Sequence, residues 1–189
     1  DSFASGNGTE VTGAHSVALG QEAKVDKDFS SAVGYKAQAN STRSVAIGML
    51  AKTFGEDAAA LGNSAEAYGP ESLALGKSAK TDGGAAQALA VGVDATAEAE
   101  RSTAIGMKAL VKGADSFAIG NSTQVTGAFS IALGQEAKVN GNYSSAVGYQ
   151  AEAKGSGSAA IGTGANTSGG NSAALGNHAK ASGDAGLAL

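Results

Sequence analysis

The chain has 189 residues and a formal net charge of −4. Alanine (42), glycine (29) and serine (21) fill about half of it, whereas Leu, Ile, Val and Phe number only 32, too few for a conventional large-residue core. The low charge with both signs interspersed argues against nucleic acid as a partner and against the strongly charged disordered class; the absence of Cys excludes disulfides and thiolate metal sites, and no apolar run approaches the ~18 residues of a membrane span.

A repeat organises what remains. A glycine that follows a small and an aliphatic residue, with Ser5 the one exception, recurs at Gly6, Gly20, Gly34, Gly48, Gly62, Gly76, Gly92, Gly106, Gly120, Gly134, Gly148, Gly162 and Gly176, in steps of 14 with one step of 16. With that glycine as position 0, position −2 is Ala in every copy from Ala4 to Ala188, and position −4 is Ser in eleven. Position +3 is Ala except at Thr9 and Thr123, position +5 is always Val, Ala or Thr, and position +7 is Gly except at Lys27, Ser41 and Ala99.

In chain order the predicted elements are a first strand at −4 to −1 and a second at +3 to +6 of every unit. They run from 2–5 and 9–12 through 16–19 and 23–26 to 172–175 and 179–182, and close on 186–189. Glycines at 0 and +7 mark the two turns, where positive φ is expected. Pro70 follows Gly69 in a second turn, where it interrupts no ladder. The two additional residues of the 16-residue step fall in the turn 83–88, where insertions collect. A glycine every seven residues disfavours helix by ~0.8–1 kcal/mol each. Residues 1–189 read as a single repeat domain of about thirteen coils, truncated at both ends: Asp1 opens it and Leu189 stops one residue short of the next glycine.

Strand alternation assigns the faces. Positions −4 and −2 (Ser, Ala) share one face, and +3 and +5 share another. With side chains this small the two faces oppose each other, giving an all-β flattened coil whose copies stack at ~4.8 Å into a rod of roughly 60 Å. Positions −3 and −1 then point outward, and they are greasy. Position −1 supplies Leu19, Val33, Ile47, Leu61, Leu75, Val91, Ile105, Ile119, Leu133, Val147, Ile161 and Leu175; position −3 adds Val17, Val45, Leu73, Leu89, Phe117 and Ile131. An apolar stripe present in every coil predicts constitutive oligomerisation.

Ser-Val-Ala-Leu-Gly at 16–20, Ser-Val-Ala-Ile-Gly at 44–48 and Ser-Phe-Ala-Ile-Gly at 116–120, repeated at 14-residue spacing, closely resemble the head repeats of trimeric autotransporter adhesins, the YadA-type heads of Gram-negative bacteria. The resemblance spans essentially the whole chain. It implies a left-handed parallel β-roll assembled as a homotrimer, with the listed stripe as trimer interface. It also implies display on the bacterial cell surface through a stalk and an outer-membrane barrel, neither of which is in this sequence. The family's neck segment and its tryptophan-containing head modules are absent as well. A collagen-binding motif of the family reads Asn-Ser-Val-Ala-Ile-Gly-x-x-Ser. The segments nearest to it, Arg43 to Ala51 and His15 to Ala23, lack the leading Asn and end in Ala, and only Asn171 supplies Asn at −5. Ser-x-Ala-Ile-Gly is therefore read as scaffold.

A longer repeat lies over the short one: Gly13 to Ala39 matches Gly127 to Ala153 at an offset of 114 residues, with 19 of 27 identical. Growth by copying suits a multivalent surface or a spacer and does not suit an enzyme with one active site. No catalytic group, metal or cofactor is expected. Candidate ligand-surface residues are His15, Phe29, Arg43, Arg101, Phe129 and Tyr143 at −5 and Phe54 and Tyr68 at +6. The aromatics in adjacent coils should stack, either gripping a protein or glycan or simply covering turn backbone. Arg43 and Arg101 are expected to make salt bridges between chains. The leading function is an adhesin head that attaches bacteria to host matrix proteins or cell-surface receptors; the alternative is a passive spacer holding another head away from the membrane.

Overall fold

A computed structural model describes residues 1–189. It contains only short strands and turns, without a helix. The chain divides into two compact units, Asp1–Thr96 and Ala97–Leu189, and about thirteen 14-residue coils are distributed between them. Each unit is a parallel β-solenoid. In the first, one sheet runs Phe3–Ser5, Val17–Leu19, Ser31–Val33, Val45–Ile47, Ala59–Leu61, Leu73–Leu75, Leu89–Val91; the facing sheet runs from Glu10–Val11 to Lys80–Thr81. In the second, Thr103–Ile105 to Leu187–Ala188 make one sheet and Leu110–Val111 to Lys180–Ala181 the other.

Within each unit, strands pair with those one repeat away, so like repeat positions lie side by side. Ile105, Ile119 and Leu133 form one such row. The register survives the 16-residue step, where Leu73 pairs with Leu89 and Leu75 with Val91. There the Ala85 amide donates to Asp82 O at 2.9 Å and Gln87 N donates to Pro70 O at 2.9 Å, which returns the chain to phase. Gly83 and Gly84 face open space, so the surplus chain loops outward and leaves the coil intact.

Alternation produces the thin interior. Ala18, Ala32 and Ala46 from the first strands and Ala23, Val25, Ala37, Ala39 and Ala51 from the second are all fully buried; Ala118, Val125, Ala132, Ala137 and Val139 repeat the arrangement in the second unit. The serines at −4 from Ser16 to Ser172 are buried too, and they are paired. Ser130 Oγ shares its one proton between Ala128 O and Gly141 O, both at 2.9 Å, and accepts from the Ser144 amide at 3.1 Å. Where +5 is Thr its hydroxyl meets the serine of the same coil: Thr53 with Ser44 at 2.9 Å, Thr81 with Ser72 at 2.8 Å and Thr167 with Ser158 at 2.9 Å. No buried side-chain polar atom lacks a partner, which is what a polar group in so thin a core requires. Ser130→Ala is expected to destabilise the second unit by about 1–2 kcal/mol, since it strands the Ser144 amide. Urea unfolding measures the difference, and an unchanged midpoint would refute the role given to the serine column.

The turns differ from expectation. The glycines at 0 do adopt positive φ, from 125° at Gly20 to 142° at Gly62. Those at +7 do not. In the second turn the left-handed residue is at −5, and it carries a side chain: His15 (φ 54°), Phe29 (57°), Arg43 (54°), Arg101 (51°), Phe129 (54°), Tyr143 (56°). What selects glycine at +7 is closeness of backbone. A Cβ on Gly127 would lie 2.0 Å from Gly141 O in the next coil.

Candidate functional site

Two surfaces follow from this geometry. On the outward face of the first-strand sheets, Ile47, Leu75, Phe117, Ile119, Ile131, Ile161 and Leu175 are exposed in the single chain. Val17, Leu19, Val33, Val45, Leu61, Leu73, Leu89, Val91, Ile105, Leu133 and Val147 are half-buried by their neighbours along the rows. None of them enters the core, because alternation sends Ala and Ser inward.

The second surface is the turn edge at −5. Its left-handed backbone is held from coil to coil, each −5 amide donating to the carbonyl just before the −5 residue of the preceding coil. Examples are Phe29 N to Ala14 O at 2.9 Å, Tyr143 N to Ala128 O at 2.9 Å and Gly157 N to Asn142 O at 2.9 Å. Side chains in this column therefore stand one above another. His15 and Phe29 stack with centroids 5.3 Å apart and planes 14° apart; Phe129 and Tyr143 stack at 5.1 Å and 4°. At +6, Phe54 and Tyr68 stack at 4.6 Å and 5°, and Lys80 Nζ lies 5.5 Å from the Tyr68 ring centre. Partial burial in that stack, with Glu66 beside it, pushes the Tyr68 hydroxyl above its ordinary pKa.

Arg43 and Arg101 make ion pairs along the column. Both guanidiniums are engaged within the chain, on the carboxylate one rung along. Arg43 Nε and Nη2 reach Asp57 at 2.6 and 2.7 Å, and Nη2 also meets Glu56 at 2.7 Å. Arg101 Nε and Nη2 reach Asp115 at 2.5 and 2.8 Å, with Nη1 on Glu100. The column register brings 43 over 57 and 101 over 115, a juxtaposition the 14-residue period already contained.

These forks hold the Asp57 and Asp115 carboxyls below their usual range and the arginines above theirs. A carboxylate with a lowered folded-state pKa contributes stability above its ordinary pKa and loses it as pH falls through the lowered value. Asp115→Asn should therefore flatten the acid limb of the stability profile below about pH 4. Urea midpoints at neutral pH and at pH 3 would show it; equal losses in both proteins would exclude the effect.

No group of three or more His, Asp or Glu side chains is gathered as a metal would require. The −5 edge carries stacked aromatic rings and exposed ion pairs.

Comparison with known proteins agrees with the repeat. A family profile described as YadA head domain repeat (2 copies) matches residues 1–23, 26–51, 55–79, 85–109, 112–137, 140–165 and 168–189. Among solved structures the chain is similar to the collagen-binding domain of the Yersinia adhesin YadA, at 22% identity over 99% of this chain and 68% of that one, with a TM-score of 0.33. No curated relative matches.

Proposed function

The chain belongs to the YadA head domain repeat family, and from that premise we propose that it is the binding head of a bacterial surface adhesin, working as a homotrimer of left-handed β-rolls. Family membership over nearly the whole length carries the reading. The apolar stripe supports the assembly: Phe117, Ile119 and Ile131 stand together exposed on one face, and three chains packed through such faces would remove them from water. Stalk and outer-membrane anchor belong to the rest of such an adhesin. The turn edge at −5 and the Phe54–Tyr68 pair at +6 are the proposed contact surface for a host matrix protein or cell-surface receptor. Weak contacts repeated on three chains would add through avidity.

The test is saturable binding of the purified protein to immobilised matrix proteins, collagen among them, and to host cells. Binding that falls when Phe29 and Phe129 are replaced by Ala supports the adhesive edge. Absence of saturable binding on every surface overturns it and leaves the spacer role.

A further inference from the structure

The two segments related by the 114-residue offset differ along the whole −5 column, where His15, Phe29, Arg43, Asp57 and Glu71 correspond to Phe129, Tyr143, Gly157, Asn171 and Ala185; at one rung the side chain is lost altogether. At the offset of 114 residues, Arg43 corresponds to Gly157 and Asp57 to Asn171. The first copy therefore closes the column above Phe29 with an ion pair. The second has a glycine there, the only one in the −5 column. Backbone conformation does not demand it, because Gly157 has φ 68° and His15, Phe29, Arg43, Gln87 and Tyr143 adopt nearly the same angle with side chains.

The consequence falls on Tyr143. One face of its ring is covered by Phe129, in nearly parallel stacking. The opposite face is directed along the column toward the Gly157 rung, which has no side chain of its own and is entered only by the Asn171 carboxamide. Tyr143 is accordingly 69% exposed. The far side of the gap is Asn171, whose Oδ1 leans over Gly157 to within 2.5 Å of where a Cβ would be. The column steps by about 4.8 Å per coil, so the open rung has the height of one stacked ring. Asn142, Tyr143, Ser156, Gly157, Gly170 and Asn171 fill positions −6 and −5 of three successive coils and carry no charge themselves; Asp184 borders them from the next coil, its Oδ1 accepting the Gly170 amide at 2.8 Å. Asn142 Oδ1 is bonded to the Ala128 amide, which leaves its NH₂ free. Asn171 and Ser156 present an amide and a hydroxyl.

We propose that this rung is a subsite for a neutral hexopyranose. A sugar ring offers a face of axial C–H bonds, weakly positive, that suits the negative face of an aromatic ring. Its equatorial hydroxyls lie in the plane where Asn171, Asn142 and Ser156 could donate and accept. A rim of amide and hydroxyl groups one ring high matches that chemistry better than it matches a protein hot spot, which needs a broader apolar surround. The subsite rests on the reading above in one respect: the turn edge must stay outside the assembled interface.

Saturation-transfer NMR on the full chain tests it, with the methyl pyranosides of galactose, glucose and mannose as probes at millimolar concentration. The expected result is transfer to the ring C–H protons of at least one probe, weakened at least ten-fold in Tyr143→Ala and in Gly157→Gln and unchanged in Phe29→Ala. Gly157→Gln refills the rung with a residue the column already carries at Gln87, so it decides the matter if Tyr143→Ala perturbs the turn. Transfer to none of the probes, or binding indifferent to both variants, overturns the subsite. Matrix binding that depends on Tyr143 without any sugar binding also overturns it and leaves the adhesin reading standing. Sugar binding without matrix adhesion does the reverse.

Discussion

Gly134→Ala is expected to destabilise the second unit by about 3–5 kcal/mol, whereas Gly84→Ala changes stability by less than about 1 kcal/mol. Two costs coincide at Gly134. Its φ of 129° lies in a region open in practice only to glycine. An added Cβ would also lie 2.4 Å from Gly148 O and 2.7 Å from Gly148 C. Both obstructing atoms are backbone, so relief requires moving the next coil, which is itself hydrogen-bonded to Leu133 O through Gly148 N at 2.8 Å. In a solenoid each coil contacts only its neighbours, so the damage should be local in origin and should propagate through lost stacking. Gly84 is the control: it has no atom within 4 Å of an added Cβ and no positive φ. Urea unfolding of the two variants side by side measures the contrast. Equal midpoints would mean that the glycine at position 0 is dispensable, and the steric account of the repeat would fall.

Much of the fold was legible because the core is so thin. Alternation with period two leaves only −4, −2, +3 and +5 facing inward, and Ser16, Ala18, Ala23 and Val25 are small enough to be identified by size alone; all four are buried. Stacking of His15 on Phe29 and of Phe129 on Tyr143 followed from the period itself. The second turn was not legible. Phe29, Arg43 and Tyr143 are poor left-handed residues in isolation, and nothing local announces that coil-to-coil hydrogen bonds hold them there. Glycine at +7 pointed to positive φ when its cause was the 2.0–2.2 Å approach of a neighbouring carbonyl, a contact between residues fourteen apart that a turn propensity cannot contain. The arginine pairs were legible in the period, since a 14-residue register places Arg43 over Asp57 and Arg101 over Asp115. Gly157 showed itself only once the column was seen to carry a side chain at every other rung.

Ile119→Asp should abolish the proposed trimer while leaving the single chain folded. Ile119 is exposed on the outer face, flanked in register by Ile105 and Leu133 and preceded on the same face by exposed Phe117. Pointing away from the Ala and Ser interior, it supports the coil only through its row, so aspartate there should preserve the β-sheet circular dichroism. In an assembled stripe the same substitution buries a carboxylate in each chain against aliphatic side chains. It forfeits roughly 1.5–3 kcal/mol of apolar burial per copy and adds a desolvation penalty of several kcal/mol per ion. Sedimentation equilibrium should move from about three times the 18.1 kDa chain mass to the mass of one chain. Gln38→Asp, on the facing sheet between Lys24 and Lys52, introduces the same charge where both neighbours are cationic and should leave assembly intact. A stable, soluble wild-type monomer, or an Ile119→Asp protein that still sediments as three chains, would remove the stripe from the interface. The scarce aliphatics would then need another explanation. The buried positions along the coils are already filled by Ala, Ser, Val and Thr, so those aliphatics have no interior of their own chain to enter.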